Sequence, residues 1–432
     1  MTKNRVDIVS LGCSKNLVDT ERLMAQFAHY GYSVFHDSDN VRGEIVVVNT
    51  CGFIGDAKEE SINMILQLAQ LKKNRKIGRL FVMGCLSARY RDELKDLIPE
   101  VDHFYGKFDW DSLLFDLGKA DRIGCSQERI LTTPPHYAYV KIAEGCDRHC
   151  SYCAIPQATG PYRSRTIEDI VQEVTLLAQQ GVKEIQLIAQ ELTYYGVDLY
   201  KEHRLNDLLL RLENIEGIEW IRLHYAYPTG FPYEILPTIR ESHKICLYLD
   251  VALQHISDNM LQLMHRHITR SETYNFINRL RREVPGIHLR TTLMVGHPGE
   301  TDNDVEQLVQ FVRDMRFERM GAFTYSDEEN TFANLNYKDD IPQEEKQQRL
   351  DLIMSVQEEI AAEINAKKIG QQLDVIIDRI EGEYSVGRTQ YDSPEVDGEV
   401  FVTNPTPLTI GNIYKVMITN ADTFDLFGHV AE

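Results

Sequence analysis

Cys146, Cys150 and Cys153 fall within ten residues, Glu144 to Cys153, in a C-x3-C-x2-C spacing. Three thiolates that close suit three irons of a 4Fe–4S cube, because each cluster iron takes one thiolate. No fourth cysteine follows nearby. One iron is therefore left open, and an open iron can bind a small molecule. Structural zinc would need a fourth ligand, and His149 is badly placed to share an ion with its chain neighbour Cys150. It reads as an ordinary loop residue.

A second set of cysteines is spread over the first quarter of the chain. Cys13, Cys51 and Cys85 each follow a short apolar run, at Val6–Leu11, Glu44–Asn49 and Arg79–Met83. Helical patterns lie between these runs, at Glu21–Tyr30 and through Ile62, Ile65, Leu66 and Leu68. Such alternation builds a parallel sheet with helices on its faces. The strand ends then share one edge, where these folds bind ligands. One buried cysteine after a strand is an ordinary core residue. Three in the same topological slot point to a second three-thiolate cluster, again with an open iron. Gly12, Gly52 and Gly84 flank them and are expected to let the backbone approach a bulky ligand. Cys125 and Cys246 have no such setting and read as structural.

The 432 residues suit two or three domains. The expectation is an α/β multidomain chain: an N-terminal parallel-sheet α/β domain over 1–125, a central partial (β/α)6 barrel with its trailing helix over 136–366, and a small antiparallel β-barrel over 369–432. The six central strands are placed at Tyr137–Ala143, Glu184–Ala189, Trp220–Tyr225, Leu247–Ala252, His288–Val295 and Arg319–Thr324. Barrel chemistry sits at the carboxyl ends of strands. The Cys146 loop starts after the first strand, Gln190 and Glu191 end the second, Gln254 and His255 follow the fourth, and Gly296–Glu300 follows the fifth. All are candidates to hold a ligand. Over Pro342–Lys368, Leu350, Ile353, Val356, Ile360 and Ile364 form one apolar stripe, so this helix should pack back on the barrel. The last domain is expected to contain strands at Leu373–Asp378, Glu399–Val402 and Tyr414–Thr419.

Apolar residues make up 43% of the chain, enough for real cores. The N-terminus has no signal-peptide pattern. No run approaches the roughly 18 apolar residues of a membrane helix. A soluble cytoplasmic protein is expected, in which cysteines serve as metal ligands rather than disulfides. Formal net charge is −20. Phosphate binding needs a basic footprint, so composition argues against nonspecific nucleic-acid binding and fits a basic protein partner. From Ala366 onward eleven acidic residues face five basic ones, a net of 5 − 11 = −6.

With both cysteine sets and both barrels in place, the chain resembles the methylthiotransferases of the radical S-adenosylmethionine (SAM) superfamily over essentially its full length. Within that group it looks most like the branch that modifies an aspartate of a ribosomal protein. The stretches Leu11–Glu21, Tyr248–His255 and Gly387–Gly398 carry this finer resemblance, the last in the C-terminal domain called TRAM. The resemblance implies two 4Fe–4S clusters, on Cys146, Cys150 and Cys153 and on Cys13, Cys51 and Cys85, with SAM as cosubstrate. It implies addition of a methylthio group to the β-carbon of an aspartate in small-subunit protein uS12. That C–H bond has no acidic proton for a side-chain base, so no catalytic acid or base is assigned. One SAM yields the radical that takes the hydrogen, and a second methylates sulfide on the other cluster. Tyr152 is expected to pack on the adenine, Gln190 to contact the amino-acid end of SAM, and Arg290 to touch SAM from the fifth strand. A flavodoxin or ferredoxin is the implied electron donor. An arginine usual near position 159 is missing, and Arg163 and Arg165 are expected to take its contacts. Two rivals stay open: a tRNA methylthiotransferase acting on an adenosine, which requires a basic C-terminal face, and a non-enzymatic iron–sulfur carrier, which requires no SAM turnover.

Overall fold

The computed structural model describes residues 1–107, 109–118 and 128–431; Cys125 lies outside the described residues. The first sheet comprises β1 (Thr2–Ser10), β2 (Ser33–His36), β3 (Gly43–Thr50), β4 (Arg79–Gly84) and β5 (His103–Phe104), all parallel, in the order β2-β1-β3-β4-β5. Its central strands are buried on both faces, which explains their unbroken apolar runs. Val46 and Val48 of β3 join one core, with Ile65 and Leu68 of helix Gly55–Lys73. Ile45 and Val47 join the other, with Leu23, Met24 and Phe27 of helix Ser14–His29. β2 and β5 were not legible in the sequence, being too short to show a period. The first helix begins at Ser14 rather than Glu21, because Lys15, Asn16, Asp19 and Glu21 resemble a solvated face but are buried.

The second sheet contains β6 (Tyr137–Lys141), β9 (Glu184–Ile188), β10 (Trp220–Ala226), β11 (Ile245–Gln254), β12 (His288–Val295) and β13 (Arg319–Thr324). All six are parallel, in that order, and match the expected partial barrel. A short antiparallel pair, β7 (Ala143–Glu144) with β8 (Arg163–Ser164), closes the base of the Cys146 loop. Alternation along the strands sends Ile185, Leu187, Leu223, Leu249 and Leu289 outward into the helix-covered core. It leaves Glu184, Gln186, Arg222, His224, Tyr248, Asp250 and Arg290 to line the lumen. The trailing helix spans Gln343–Ala366, and Ile353, Val356 and Ile360 join the barrel core as the stripe requires.

The third sheet is a closed five-stranded barrel of β14 (Gln372–Glu381), β15 (Tyr384–Thr389), β16 (Val400–Thr403), β17 (Ile413–Ala421) and β18 (Leu426–Val430). One neighbouring pair, β16 with β18, runs parallel; the others are antiparallel. β15 and β18 escaped the sequence reading because Gly387 and Gly428 look like strand breakers. Both are needed where they stand: a Cβ at Gly387 would lie 2.1 Å from the Ile376 carbonyl oxygen, and one at Gly428 would lie 2.4 Å from that of Met417.

This small barrel caps the amino ends of the six central strands. Arg388 pairs with Glu184 at 2.8 Å and with Asp378 at 2.7 Å, and Arg222 pairs with Glu184 at 2.9 Å. Loop residues fill the lumen floor: Arg222 donates to the Gln390 carbonyl (2.6 Å), Tyr137 to Glu395 (3.1 Å) and Tyr248 to Asp397 (2.9 Å). Cys246 is buried here with Trp220, Tyr248 and Ile376, a structural residue as expected. The Gly387–Gly398 signature is thus a lumen stopper.

His288 stacks on Tyr391 at this seam, with ring centres 3.9 Å apart. Burial pushes its imidazole down to about 3; Lys368 and Arg319 add to this and Asp392 opposes it. The unfolded chain therefore takes up the proton first, so the stability from this site is present above about pH 6.5 and falls as pH drops toward 3. Between pH 7 and 5 the loss should be about 1 kcal/mol, discounted for partial exposure. Urea midpoints at the two pH values should show it, and His288→Gln should flatten the difference.

Candidate metal centres

β1, β3 and β4 are neighbours whose carboxyl ends stand level, with Ser10 opposite Asn49 and Thr50 opposite Gly84. Cys13 caps helix Ser14–His29, Cys51 follows β3, and Cys85 opens helix Cys85–Leu97. Two of the three thiols thus stand at helix amino ends, which favour negative charge. Cys51 and Cys85 are buried, while Cys13 is exposed. Buried Asn16 stitches the strand ends together. Its amide donates to the carbonyls of Leu11 and Thr50, both at 3.0 Å, and its oxygen lies 3.9 Å from the Cys85 sulfur. The flanking glycines act differently from expectation: they admit protein rather than a ligand. A Cβ at Gly12 would lie 2.6 Å from that of Cys51, at Gly52 it would meet the Leu86 backbone at 2.6 Å, and at Gly84 the Thr50 carbonyl oxygen at 2.4 Å. Bare glycines let the three strand ends close up and so draw the thiols together.

The surroundings act differently on the three thiols and favour the thiolate only at Cys13. Burial pushes Cys85 up to about 11, with Lys107 opposing and Cys13 and Cys51 adding to the rise. Burial likewise raises Cys51. At Cys13 the surrounding protein's desolvation of the thiolate is outweighed by Lys15, Lys107 and the backbone amides of Asn16 and Lys15, and its pKa is lowered.

The second triad sits in a loop held from all sides. Gly145 has φ +74°, and a Cβ there would lie 2.1 Å from the Pro161 carbonyl oxygen, so glycine alone lets the two ends of the loop meet. Ser151 donates its N–H to Met264 (3.1 Å) and accepts from Ala333 N–H (2.7 Å), and its hydroxyl meets His297 Nε2 at 3.3 Å. Burial pushes Cys146 up to about 12 and also raises Cys153. Metal must displace these protons. Arg266 reaches Cys150 Sγ at 3.5 Å and lies over the Tyr227 ring, 4.2 Å from its centre.

Tyr152 packs against Met260, Met264, Met294 and Tyr325, with its hydroxyl 3.4 Å from Arg266. Gln190 and Gln254 stand at the ends of β9 and β11, and each carries a buried amide oxygen without a hydrogen-bond donor. Two orphaned acceptors at strand ends suit a polar ligand laid across the barrel mouth. Glu191 instead receives Arg148 (2.9 Å), and His255 meets Glu300 (3.2 Å), which also takes Arg349 (2.7 Å). Those three residues hold neighbouring chain. Arg290 lies deeper in the lumen, between Asp250 (3.4 Å) and Asp397 (3.3 Å). Arg165 is bound to Asp169 and Glu173 at 2.6 Å each, so its guanidinium is engaged by helix Ile167–Gln179; Arg163 is exposed on β8.

The domains that carry the two triads pack against each other. Helix Ser14–His29 packs on β6, and helix Cys85–Leu97 contacts the short helix Ile155–Thr159 that follows Cys153. Lys141 pairs with Asp19 and Glu144, Arg129 joins Glu21 to Glu173, and Glu328 takes Lys58 (3.0 Å) and Arg89 (3.1 Å). Among the described residues no three His, Cys, Asp or Glu surround a single metal ion. A cube carries its thiolates on separate irons, a looser arrangement than a single-ion shell, and each triad supplies three such donors. The residues that sequence reasoning missed, Lys15, Asn16, Arg266 and Tyr227, gave no signal beyond polar or aromatic type beside a cysteine motif or strand end.

Family models match residues 5–106 (Uncharacterized protein family UPF0004), 140–312 (Radical SAM superfamily) and 369–431 (TRAM domain). The chain is 60% identical over 430 residues to the ribosomal protein uS12 methylthiotransferase RimO of Parabacteroides distasonis, with all of both chains covered. It is 61% identical over 431 residues to that of Bacteroides fragilis, again covering both fully, and 50% identical to that of Cytophaga hutchinsonii, covering 98% of the latter. The radical SAM methyltransferase TsrM of Kitasatospora setae shares the fold at TM-score 0.53 and 14% identity, over 77% of each chain. The cobalamin-dependent radical enzyme OxsB does so at 0.53 and 12%, over 81% of this chain and 56% of its own. With identity near 60% from end to end, this chain belongs to the family of ribosomal protein uS12 methylthiotransferases.

Proposed function

We propose that this protein inserts a methylthio group at the β-carbon of an aspartate in ribosomal protein uS12, using SAM and two 4Fe–4S clusters. The observation that carries the reading is the pair of cysteine triads, one at the carboxyl ends of β1, β3 and β4 and one in the loop after the first barrel strand, on two domains packed together. When bound, a cube on Cys146, Cys150 and Cys153 supplies the electron that cleaves SAM to a carbon radical, and a cube on Cys13, Cys51 and Cys85 carries the sulfur to be inserted. The chain's own residues hold this chemistry in place. Ser151, His297 and Met264 fix the first loop, and Arg266 offsets thiolate charge. Tyr152 offers its ring to the adenine, and Gln190 offers its bare amide oxygen to the amino-acid end of SAM. Arg290 acts through Asp250, which it orients toward the Tyr225 N–H at 3.2 Å. Rigid strand ends and the sealed floor keep water from the radical.

A reduced flavodoxin or ferredoxin supplies the electrons, and the reaction runs in the cytoplasm. No helix among the described residues is long and apolar enough to cross a membrane. The charge of −20 suits a basic ribosomal protein. The C-terminal barrel turns Arg388 and Lys368 inward, which leaves its surface poorer still in basic groups and opposes a tRNA substrate. The test offers anaerobically reconstituted enzyme, with SAM and a reductant, both uS12 and tRNA. Mass spectrometry should find one methylthio group gained on uS12; a gain on tRNA alone would overturn the reading.

A further inference from the structure

We propose that the Lys15 ammonium is the anchor for a carboxylate on the substrate residue that reacts. This rests on the methylthiotransferase reading and assigns that site its substrate contact. Lys15 lies two residues after Cys13, is 7% exposed, and holds its Nζ over the Tyr225 ring, 3.1 Å from the centre. Among the described residues no hydrogen bond or salt bridge reaches its ammonium, whose charge is felt at the Cys13 thiol. Buried cations of the barrel are matched. Lys141 has Asp19 and Glu144, Arg148 has Glu191, Arg290 has Asp250 and Asp397, and Arg266 has the Ala252 carbonyl. Lys107 is surrounded by Cys85, Glu144, Asp19 and Cys13.

An aromatic face attracts an ammonium, but it accepts none of the three N–H donors in the way an oxygen does. A buried ammonium left in that state is costly, and an incoming anion removes the cost. Tyr225 is itself held at φ +64°, a left-handed conformation that is unusual for a bulky residue, with its N–H directed at Asp250. The backbone is strained where the platform for Lys15 is built. The platform ends β10, and two residues on, the Tyr227 hydroxyl lies 3.9 Å from Cys150 Sγ. Lys15 therefore lies two residues from Cys13 and against the strand end that leads to Tyr227 and Cys150. A single cation over an apolar ring matches one negative charge, as on an aspartate side chain, rather than a phosphate.

The test measures affinity separately from turnover. A fluorescent peptide of uS12 carrying the reacting aspartate, and its asparagine counterpart, are titrated by anisotropy into reconstituted enzyme with SAM. The native enzyme should prefer the aspartate peptide by about 10- to 100-fold, the range of a charge-assisted hydrogen bond. Lys15→Met should bring the aspartate peptide to the asparagine level, while Lys15→Arg should keep part of the preference. Equal binding of both peptides by native enzyme, or a preference that survives Lys15→Met, would overturn the assignment; the first comparison decides even if a variant does not fold. Should native enzyme still add the methylthio group to uS12, only the anchor fails; with no gain on uS12, the underlying reading fails as well.

Discussion

Replacing Cys51 with alanine is expected to leave SAM cleavage running while methylthio product falls by on the order of 100-fold or more, whereas Cys150→Ala should stop both. The two triads lie on different domains, so each can be emptied without the other. Cys51 is a mild place to cut. Its backbone N–H and carbonyl are held by the Ser61 hydroxyl at 3.1 and 3.0 Å, and alanine leaves both bonds intact. Only the sulfur that rests against Gly12 disappears. Quantifying 5′-deoxyadenosine beside modified uS12 separates radical generation from sulfur insertion. Iron content should fall from about eight per chain to about four in either variant. If Cys51→Ala delivered product at the native rate, the division of labour between the triads would be wrong.

Arg388→Met should cost about 3–5 kcal/mol, the usual result of removing one partner from a buried ion pair. Arg388 is 2% exposed and joins Glu184 of the central barrel to Asp378 of the small one. Burial opposes ionisation of Glu184, but Arg388 and Arg222 outweigh it and hold the carboxyl at about 2. It therefore stays charged in the folded protein down to about pH 2, and the stabilisation, full above about pH 4.5, is lost as pH falls toward 2. Without Arg388 it remains buried beside Arg222 alone. Trp220 lies at this seam against Ile376, so its fluorescence during urea unfolding reports the loss. The paired change Glu184→Leu with Arg388→Met should recover much of it. A single-variant loss below about 1 kcal/mol would mean that the apolar seam alone holds the two barrels together.

The cysteine chemistry was legible because it is encoded in type and position. Three thiols in one loop, and three at the ends of apolar runs, declare themselves without knowledge of packing. The six central strands were legible because outward apolar residues recur at every second position, as at Ile185 and Leu187. What stayed hidden depended on distant neighbours. Lys15, Asn16, Asp19 and Glu21 look like a solvated helix face until partners far along the chain are known: Tyr225, Thr50, Lys141 and Arg129. Gly387 and Gly428 read as interruptions because the carbonyls that exclude a side chain belong to other strands. The engagement of Arg165 was hidden similarly: nothing local says that Glu173, a helix position, claims it. Arg290 sits on the expected strand, but its two carboxylates come from β11 and from the far C-terminal loop.

Corking the amino end of the central barrel has a consequence for traffic. Gln390, Tyr391, Glu395 and Asp397 occupy what would otherwise be a back door. Everything that reaches the lumen must then arrive and depart at the carboxyl ends of the strands. A small cosubstrate and its spent fragments therefore share a single doorway.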